Sequence, residues 1–190
     1  VWKGSQMIKQ IKGKIFDIQR LGIHDGPGIR TLVFLKGCPL HCPWCCNPEG
    51  IGYESELAFY AQRCFDCGEC IRICPQKAIN KSFQEDRVSI DREKCNNCGA
   101  CVPFCNSKAL ILTGEEISVE QVMKEVKKDT VFYQASGGGL TLSGGEPMEQ
   151  IVFTEALLSV AKQDGINTAV ETCGYTSSEN FRRVLKNVDY

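Results

Sequence analysis

The sequence predicts an α/β protein whose parallel sheet is interrupted by a small cysteine-rich module. Two observations predict this fold. Strand-like and helix-like patterns alternate over residues 111–190, as is typical of parallel βα units. An internal repeat rich in cysteine precedes them. We therefore expect residues 11–55 and 111–190 to form one sheet-based domain, and residues 56–110 to form an insert.

Three parallel strands are expected in the sheet-based domain. The segment "TLVFLKG" (31–37) is a continuous apolar run rich in branched residues, which predicts a buried parallel strand. The segments "GLTLSGG" (139–145) and "INTAVET" (166–172) predict two more. The segment "GKIFDIQRLG" (13–22) is expected to add a leading strand or a hairpin arm.

Three helices are expected between and after these strands. The first covers residues 118–132 and begins with a capping box formed by Ser118 and Gln121. The second covers residues 149–165 and stops at its final glycine, and the third covers residues 177–188. The side chains expected to face the core are Val119, Val122 and Val126 in the first helix, and Phe181, Val184, Leu185 and Val188 in the third.

Composition and charge give no indication of a nucleic-acid or membrane partner. The 190 residues include 22 Lys and Arg against 23 Asp and Glu, which leaves a net charge of −1. A membrane-spanning helix needs about 18 consecutive apolar residues, and no such run is present. A signal-peptide pattern is also absent. We expect a cytoplasmic protein. We also expect residues 1–6, "VWKGSQ", to be left over from cloning.

Thirteen cysteines are the most unusual feature of the composition. A secreted disulfide protein is one interpretation, but the count is odd and all but one cysteine lie in tight C-x2-C or C-x3-C spacings. Such spacings suit metal coordination in a reducing compartment. Zinc is a second interpretation, although only two histidines are available. The spacings favour iron–sulfur clusters.

The insert contains two copies of one motif. "RCFDCGECIRICPQKAI" (63–79) matches "KCNNCGACVPFCNSKAL" (94–110) at an offset of 31 residues, and each copy reads C-x2-C-x2-C-x3-C. This is the run of bacterial two-cluster ferredoxins, in which the fourth cysteine ligates the other cluster. The expected ligand sets are a first quartet, Cys64, Cys67, Cys70 and Cys105, and a second quartet, Cys95, Cys98, Cys101 and Cys74. Two zinc knuckles are the alternative.

A departure from this pattern lies after the fourth cysteines, where Pro75 in the first copy corresponds to Asn106 in the second. The turn at Cys105 is therefore less constrained, but its thiol remains available. Gly68 and Gly99 are expected to let the chain wrap closely around a cluster.

Each predicted parallel strand ends in an unusual motif. The first runs into Cys38, the second into "SGGEP" (143–147) and the third into "ETCG" (171–174). In parallel α/β barrels, chemistry is concentrated at the carboxyl ends of the strands. We therefore expect these three motifs to form one site.

The first of these motifs is C-x3-C-x2-C, formed by Cys38, Cys42 and Cys45. Three thiolates on one loop can hold three corners of a [4Fe–4S] cluster and leave the fourth iron open to another ligand, as catalytic zinc sites keep an open position. Cys46 is a candidate for the fourth corner. Adjacent side chains point apart, however, so packing or lining the ligand pocket is the favoured role for Cys46.

The motifs together resemble a known family. C-x3-C-x2-C after a first strand resembles the radical S-adenosylmethionine (SAM) superfamily. "IHDGPGIRTLVFLKGCPLHCPWCCNPE" (23–49) and "GGGLTLSGGEP" (137–147) resemble its glycyl-radical-enzyme activating enzymes, and the insert resembles their ferredoxin-bearing branch. The resemblance covers residues 11–190. It implies a partial (β/α) barrel of the radical SAM type, of which the amino-terminal half is present, with an inserted two-cluster ferredoxin-like domain.

The resemblance also implies a SAM site. It implies that SAM binds the open iron of the Cys38 loop, and that the protein contacts SAM through Trp44, Cys45, Cys46, Gly144, Gly145, Glu146, Glu171 and Thr172. Two simpler interpretations stay open. The glycines on their own indicate a glycine-rich turn, and Glu171 on its own indicates a surface carboxylate. Cys173 is most simply a small buried residue.

The segment "HDGPGIR" (24–30) matches a family signature through Asp25 and Arg30. The resemblance places this loop on the side of the partner enzyme. His24 is equally interpreted as a structural histidine.

The implied activity is that of an oxidoreductase which works under anaerobic conditions. A reduced cluster donates one electron to SAM, which yields methionine and a 5′-deoxyadenosyl radical. That radical takes a hydrogen atom from a glycine of a partner glycyl radical enzyme. The implied cofactors are three [4Fe–4S] clusters and SAM, and the implied electron donor is a flavodoxin or ferredoxin. The alternatives are a ferredoxin-like electron-transfer protein and a radical SAM enzyme that acts on a small molecule.

The chain is expected to be truncated at its carboxyl terminus. An eight-unit barrel takes about 250 residues, or roughly 30 per unit, and only three units follow from the sequence once the insert is removed. The final "VDY" (188–190) is expected to approach a fourth strand.

Overall fold

The computed structural model describes residues 7–82 and 87–190, which form two compact units. The first comprises the chain up to Glu54 together with Gly114–Tyr190, and the second comprises Ser55–Thr113. The residues attributed to cloning lie outside the described part. Both units combine helices and strands, so the fold is a mixed α/β fold, and the strands described here do not close into a barrel.

The strands described are, in chain order, β1 (Lys12–Gly22), β2 (Arg30–Leu35), β3 (Glu56–Phe59), β4 (Ile79–Lys81), β5 (Val88–Ile90), β6 (Leu110–Thr113), β7 (Glu115–Ser118), β8 (Gly139–Gly144) and β9 (Asn167–Val170). The helices that the argument uses are α1 (Glu69–Ile73), α2 (Val119–Val126), α3 (Thr130–Ser136), α4 (Ile151–Gln163) and α5 (Ser178–Leu185).

The first unit is built on a five-stranded sheet in the order β7–β1–β2–β8–β9. β8 lies parallel to both β2 and β9, which confirms that the three strands expected from the sequence run in one direction. β1 is the leading arm and pairs antiparallel with β2 on one side and with β7 on the other. The carboxyl ends of β2, β8 and β9 therefore meet at one edge of the sheet.

Helix α2 begins as the sequence predicts. The Ser118 hydroxyl accepts from Gln121 N and the Gln121 side chain accepts from Ser118 N, which confirms the capping box. Its three valines expected to face the core are fully buried. The helix ends at Val126, before the expected position, because the chain tightens into a 3₁₀ turn over Lys127–Asp129 and restarts as α3.

The other two helices follow the predictions with two corrections. Helix α4 starts at Ile151, two residues late, because Pro147–Gln150 forms a 3₁₀ turn, and it stops before Gly165, which has φ of +71°. In α5, Val184 is buried, but Leu185 is 60% exposed, so its inward placement was wrong. Neighbouring residues on a helix point about 100° apart, and Val184 takes the inward direction.

The backbone after α5 returns to the edge of the sheet. Tyr190 N donates to Thr168 O at 3.2 Å, and Val170 N donates to Tyr190 O at 3.1 Å. These two bonds have the alternating pattern of a parallel neighbour, although residues 188–190 are not assigned to a strand, so the fourth strand stays a prediction.

The second unit contains two small antiparallel sheets, β3–β6 and β4–β5, with the short helix α1. Cys70 and Cys101 are buried in its core beside aliphatic side chains from the strands. Gly68 and Gly99 occupy equivalent positions of the repeat and both have positive φ, +76° and +70°. Both copies of the motif thus use a left-handed glycine at the same step.

Within the described part of the chain, no helix combines the length and the apolar character needed to cross a membrane.

Candidate functional site

The loop that carries Cys38, Cys42 and Cys45 leaves the carboxyl end of β2. Its base is closed by the main chain: Gly37 N donates to Gly50 O at 2.8 Å, and Cys38 N donates to Ile51 O at 3.0 Å. Since β2 is buried along its whole length, this base is fixed to the centre of the sheet. The backbone thus sets the position of Cys38.

The three cysteines of the C-x3-C-x2-C motif share an intermediate burial, while Cys46 is exposed. Cys45 N donates to Cys42 O at 3.0 Å, which closes a turn between the second and third thiols. The Trp44 side chain within this turn is 82% exposed. The loop therefore presents three partly accessible thiols together with an exposed aromatic ring.

Gly144 and Gly145 bring the end of β8 against the base of the cysteine loop. A Cβ on Gly145 would lie 2.3 Å from Gly37 O and 2.6 Å from Gly50 O. A Cβ on Gly144 would lie 2.5 Å from Leu35 N, and its φ is +106°. Only glycine fits such close backbone contacts, so both glycines have a structural role beside the one expected toward SAM.

Glu146 joins the end of β8 to the end of β9. Its side chain is fully buried, and its carboxylate accepts hydrogen bonds from Met148 N at 2.9 Å and Cys173 N at 2.8 Å. The Thr172 hydroxyl lies 2.8 Å from Oε2 and 2.9 Å from Oε1, and it donates to the same carboxylate. This buried carboxylate is therefore held by three groups of the protein itself.

Glu171 and Thr172, expected as the acidic–threonine pair, lie at the end of β9. Ser143 Oγ donates to Glu171 Oε2 at 2.5 Å, which connects β8 and β9 a second time. Glu171 remains exposed, so its carboxylate can also meet a ligand from solvent.

Cys173 is exposed, which corrects the expectation that it is a buried residue. It lies in the loop after β9, where residues 171–175 are all exposed, and its backbone N donates to Glu146 Oε2. Desolvation of the thiol, followed by the effect of Glu146, raises the pKa of Cys173 to about 11, and Cys38 also contributes. The end of β9 thus lies near the first thiol of the cysteine loop.

An open depression lies beside the end of β9. Its walls are Glu149, Gly174, Tyr175, Thr176 and Ser177. Tyr175 is 65% exposed, so an aromatic face is presented on this side of the strand ends.

The loop that precedes β2 lies at the opposite end of that strand from Cys38. Arg30 is fully buried, and its guanidinium donates to Thr141 Oγ1 at 2.6 Å and to Leu140 O at 2.7 Å. Asp25 takes part through its carbonyl, which accepts from Thr141 Oγ1 at 2.9 Å. Burial lowers the pKa of Arg30. Arg30 therefore fastens the amino-terminal edge of the sheet, while His24 is exposed.

Sequence reasoning missed two residues that support the loop. Gln150 is buried, and its amide donates to Lys14 O at 2.7 Å and to Lys36 O at 2.8 Å. Lys36 is itself fully buried and donates Nζ to Glu49 O at 2.8 Å. The available signal was a lysine directly after an otherwise apolar strand and just before Cys38.

In the second unit, the four cysteines of the first quartet line one small cavity. Phe65 and Phe104 complete its wall and are 82% and 44% exposed. The four cysteines of the second quartet line another small cavity, in which Pro75 and Gln76 contribute to the wall. Each quartet assigned from the sequence therefore surrounds its own space.

The thiols within each quartet influence one another. Burial, followed by the charges of Cys64 and Cys67, raises the pKa of the Cys70 thiol to about 11. Burial also raises the pKa of Cys101, with smaller contributions from the other three cysteines of its quartet. Protonated thiols cannot ligate iron, so metal binding at these positions must release protons.

The donor set fits iron–sulfur clusters, since thiolates are their usual ligands and all thirteen cysteines are free. Among residues 7–82 and 87–190, no three Cys, His, Asp or Glu side chains converge on a point suited to a single metal ion.

A family model described as "4Fe-4S single cluster domain" matches residues 24–190 of the chain. The chain belongs to this family. Members of the 4Fe-4S single cluster domain family bind a cluster of the kind for which the cysteine loop has suitable ligands.

Curated relatives of the chain are activating enzymes. They include the trans-4-hydroxy-L-proline dehydratase activating enzyme of Clostridioides difficile, 49% identical over 92% of this chain and 58% of the relative. The (2S)-3-sulfopropanediol sulfolyase activating enzyme of Bilophila wadsworthia is 50% identical over 95% of this chain and 60% of the relative. The isethionate sulfite-lyase activating enzyme of Nitratidesulfovibrio vulgaris is 46% identical over 96% and 60%.

These relatives confirm the resemblance to the glycyl-radical-enzyme activating enzymes that the motifs indicated. The chain spans 58% to 60% of the length of these relatives.

Proposed function

We propose that the chain is the SAM-cleaving part of an activating enzyme for a glycyl radical enzyme. One observation carries this proposal: the cysteine loop, the Gly-Gly-Glu end of β8 and the Glu-Thr end of β9 meet at a single edge of the sheet. A partial (β/α) barrel of the radical SAM type accounts for this arrangement. The relatives' activities, each on a different partner, support the same reaction class.

In this proposal Cys38, Cys42 and Cys45 hold a [4Fe–4S] cluster, and SAM lies against it. When bound, the cluster and SAM supply reductive cleavage of SAM and a radical that takes hydrogen from glycine. The residues proposed to line the SAM site are Trp44, Cys45, Cys46, Gly144, Gly145, Glu146, Glu171 and Thr172.

The chain's own residues divide the work of building this site. The main-chain bonds at Gly37 and Cys38 orient the loop. The buried carboxylate of Glu146 positions the backbone of β9, so its part in SAM binding runs through Thr172 and its neighbours. Exposed Glu171 is free on one side to accept hydrogen bonds from an ammonium or hydroxyl group.

We further propose that the second unit is a ferredoxin-like insert, residues 56–110, which holds two [4Fe–4S] clusters and relays electrons. The two cavities with four cysteines each support this assignment. The partners proposed are a glycyl radical enzyme as protein substrate and a flavodoxin or ferredoxin as electron donor. Reduced clusters and free thiols suit the cytoplasm, and we propose no nucleic-acid or membrane partner.

The test compares Cys42→Ala with Cys67→Ala after anaerobic reconstitution of the chain. The unchanged chain should bind about 12 irons, four for each of three clusters. Cys42→Ala should keep about 8 irons and lose both the SAM-induced spectral change and 5′-deoxyadenosine formation. Cys67→Ala should keep that spectral change and be reduced more slowly.

Continued formation of 5′-deoxyadenosine by the Cys42→Ala chain would contradict the catalytic assignment. Iron limited to about 4 per chain would contradict the two-cluster insert. SAM cleavage without a radical on the glycine of any partner would instead favour an enzyme that acts on a small molecule.

A further inference from the structure

The two quartets of the insert differ in a side chain close to the fourth cysteine of each motif. The sulfur of each fourth cysteine accepts a backbone hydrogen bond at the same distance. Ala78 N donates to Cys74 Sγ at 3.3 Å, and Leu110 N donates to Cys105 Sγ at 3.3 Å. The two donors are not equivalent in the repeat, because Ala78 corresponds to Ala109 and not to Leu110, but each fourth sulfur has a backbone N–H at the same distance.

The difference lies two residues after each fourth cysteine. Ser107 Oγ is 3.6 Å from Cys105 Sγ and lines the cavity of the first quartet. The equivalent residue is Gln76, which lines the cavity of the second quartet, but in the described ranges it has no hydrogen bond to Cys74 Sγ. A cysteine that ligates iron carries no proton, so in the Ser107–Cys105 pair the hydroxyl must be the donor.

We propose that the Ser107 hydroxyl raises the reduction potential of the cluster held by the first quartet. This inference rests on the proposed function, in which that quartet binds a [4Fe–4S] cluster. Reduction adds negative charge that is shared by the ligating sulfurs. A hydrogen-bond donor aimed at one of those sulfurs stabilises the reduced form more than the oxidised form, and such bonds are a recognised determinant of cluster potential.

A second donor reinforces this difference between the quartets. Asp66 N donates to Cys64 Sγ at 3.4 Å, whereas the equivalent Cys95 Sγ is itself a donor, to the side-chain oxygen Oδ1 of Asn97 at 3.8 Å. Asp66 donates through its backbone N–H, and replacing the Asp66 side chain would not remove that group. Ser107 is therefore the position at which mutation can test the effect. The cluster of the first quartet should therefore have a higher reduction potential than the cluster of the second quartet.

The test is a redox titration of the reconstituted chain with dithionite and mediators, followed by electron paramagnetic resonance. In Ser107→Ala, one of the two insert clusters should shift to lower potential. Loss of one hydrogen bond should lower its reduced-to-oxidised ratio about threefold to tenfold. Tenfold corresponds to 59 mV for a one-electron step. The other cluster and the SAM-induced spectral change should stay unchanged.

Three variants sharpen the test. Ser107→Thr keeps the hydroxyl and should keep the potential, whereas Gln76→Ala, the matched control, should shift neither cluster. Gln76→Ser should raise the potential of the second quartet's cluster. An unmoved potential in Ser107→Ala at full iron content would overturn this inference alone. Iron limited to about 4 per chain would overturn the insert clusters, and the inference with them.

Discussion

The hydroxyl of Thr172 lies 2.8 Å from the buried carboxylate of Glu146 and joins the ends of two parallel strands. Both residues belong to motifs that the sequence places at strand ends, 26 residues apart. Their contact means that the Gly-Gly-Glu motif and the Glu-Thr motif form one structure before any ligand binds. The carboxylate of Glu146 acts as a positioning group for β9.

Replacing Glu146 by Gln should therefore destabilise the first unit. A glutamine amide presents a donor where the carboxylate accepts from Met148 N and Cys173 N, so at least one buried donor loses its acceptor. We expect a loss of about 1–3 kcal/mol in the free energy of unfolding, measured in urea. Glu149→Gln, at an exposed position of the same 3₁₀ turn, should be nearly neutral. Equal stability of the two variants would contradict the positioning role.

Replacing Gly145 by Ala should displace the base of the cysteine loop. The new methyl group would meet Gly37 O and Gly50 O, which are backbone atoms that cannot turn aside. We expect a cost near 3 kcal/mol, the upper part of the usual range for overpacking, together with loss of iron from the loop. Iron analysis and urea unfolding measure the two effects.

The matched control for this glycine is Gly165→Ala. Gly165 has φ of +71° and open space around it, so alanine meets only backbone strain, which costs about 1–2 kcal/mol, and iron should be retained. Full iron in Gly145→Ala would show that the loop tolerates displacement at its base.

Asp129 should make stability depend on pH. Arg20 is the main cause that lowers the pKa of this buried carboxyl, and Thr31 also donates to it. A lowered pKa gives stabilisation that is present above the usual value of about 3.9 and is lost as pH falls through the lower folded value. Asp129→Asn should cost about 1–3 kcal/mol at pH 7, and the difference from the unchanged chain should shrink below pH 4.

Thermal unfolding between pH 7 and pH 3 measures this difference. Asp164→Asn, which removes a surface ion pair with Lys127, should change stability by less than about 1 kcal/mol. The Asp164→Asn chain should lose metal in acid to the same extent as the Asp129→Asn chain. Comparing the two variants therefore separates the contribution of Asp129 from the effect of metal loss. A constant difference over the whole pH range would show that Asp129 acts through packing instead of charge.

Cys46→Ser should retain the iron of the loop and its SAM-induced spectral change. Cys46 is exposed, whereas the three cysteines of the C-x3-C-x2-C motif are partly buried, so a cluster bound by those three does not need the fourth thiol. Electron paramagnetic resonance with and without SAM provides the measurement, and Cys42→Ala is the comparison that should lose the signal. Loss of the cluster in Cys46→Ser would favour four-thiolate ligation and a role in electron transfer.

Short-range patterns predicted the elements whose causes are local. The Ser118 capping box depends on residues three apart, and the direction of β2, β8 and β9 follows from alternation of strands with helices. The quartets were assigned from spacing as well, on the ferredoxin pattern in which the fourth cysteine ligates the other cluster, and their role as ligands stays a prediction.

The features that the sequence did not predict depend on contacts between residues far apart in the chain. The break after Val126 accompanies the buried pairing of Asp129 with Arg20, which is 109 residues away. Buried Lys36 donates to Glu49 O, and the backbone of Cys173 donates to Glu146, 27 residues away. No local pattern contains these partners, so the sequence could indicate the residues of the candidate site but not which of them hold the others in place.

The backbone hydrogen bonds Gly37–Gly50 and Cys38–Ile51 also determine which loop residues can change between related proteins. No side chain takes part in those two hydrogen bonds, so residues 39–41 can change identity without opening the loop. A library randomised at these three positions should yield mostly folded chains that differ in the surroundings of the thiols. Related proteins can therefore differ in the side chains around the thiols while the loop keeps the same backbone attachment to the sheet.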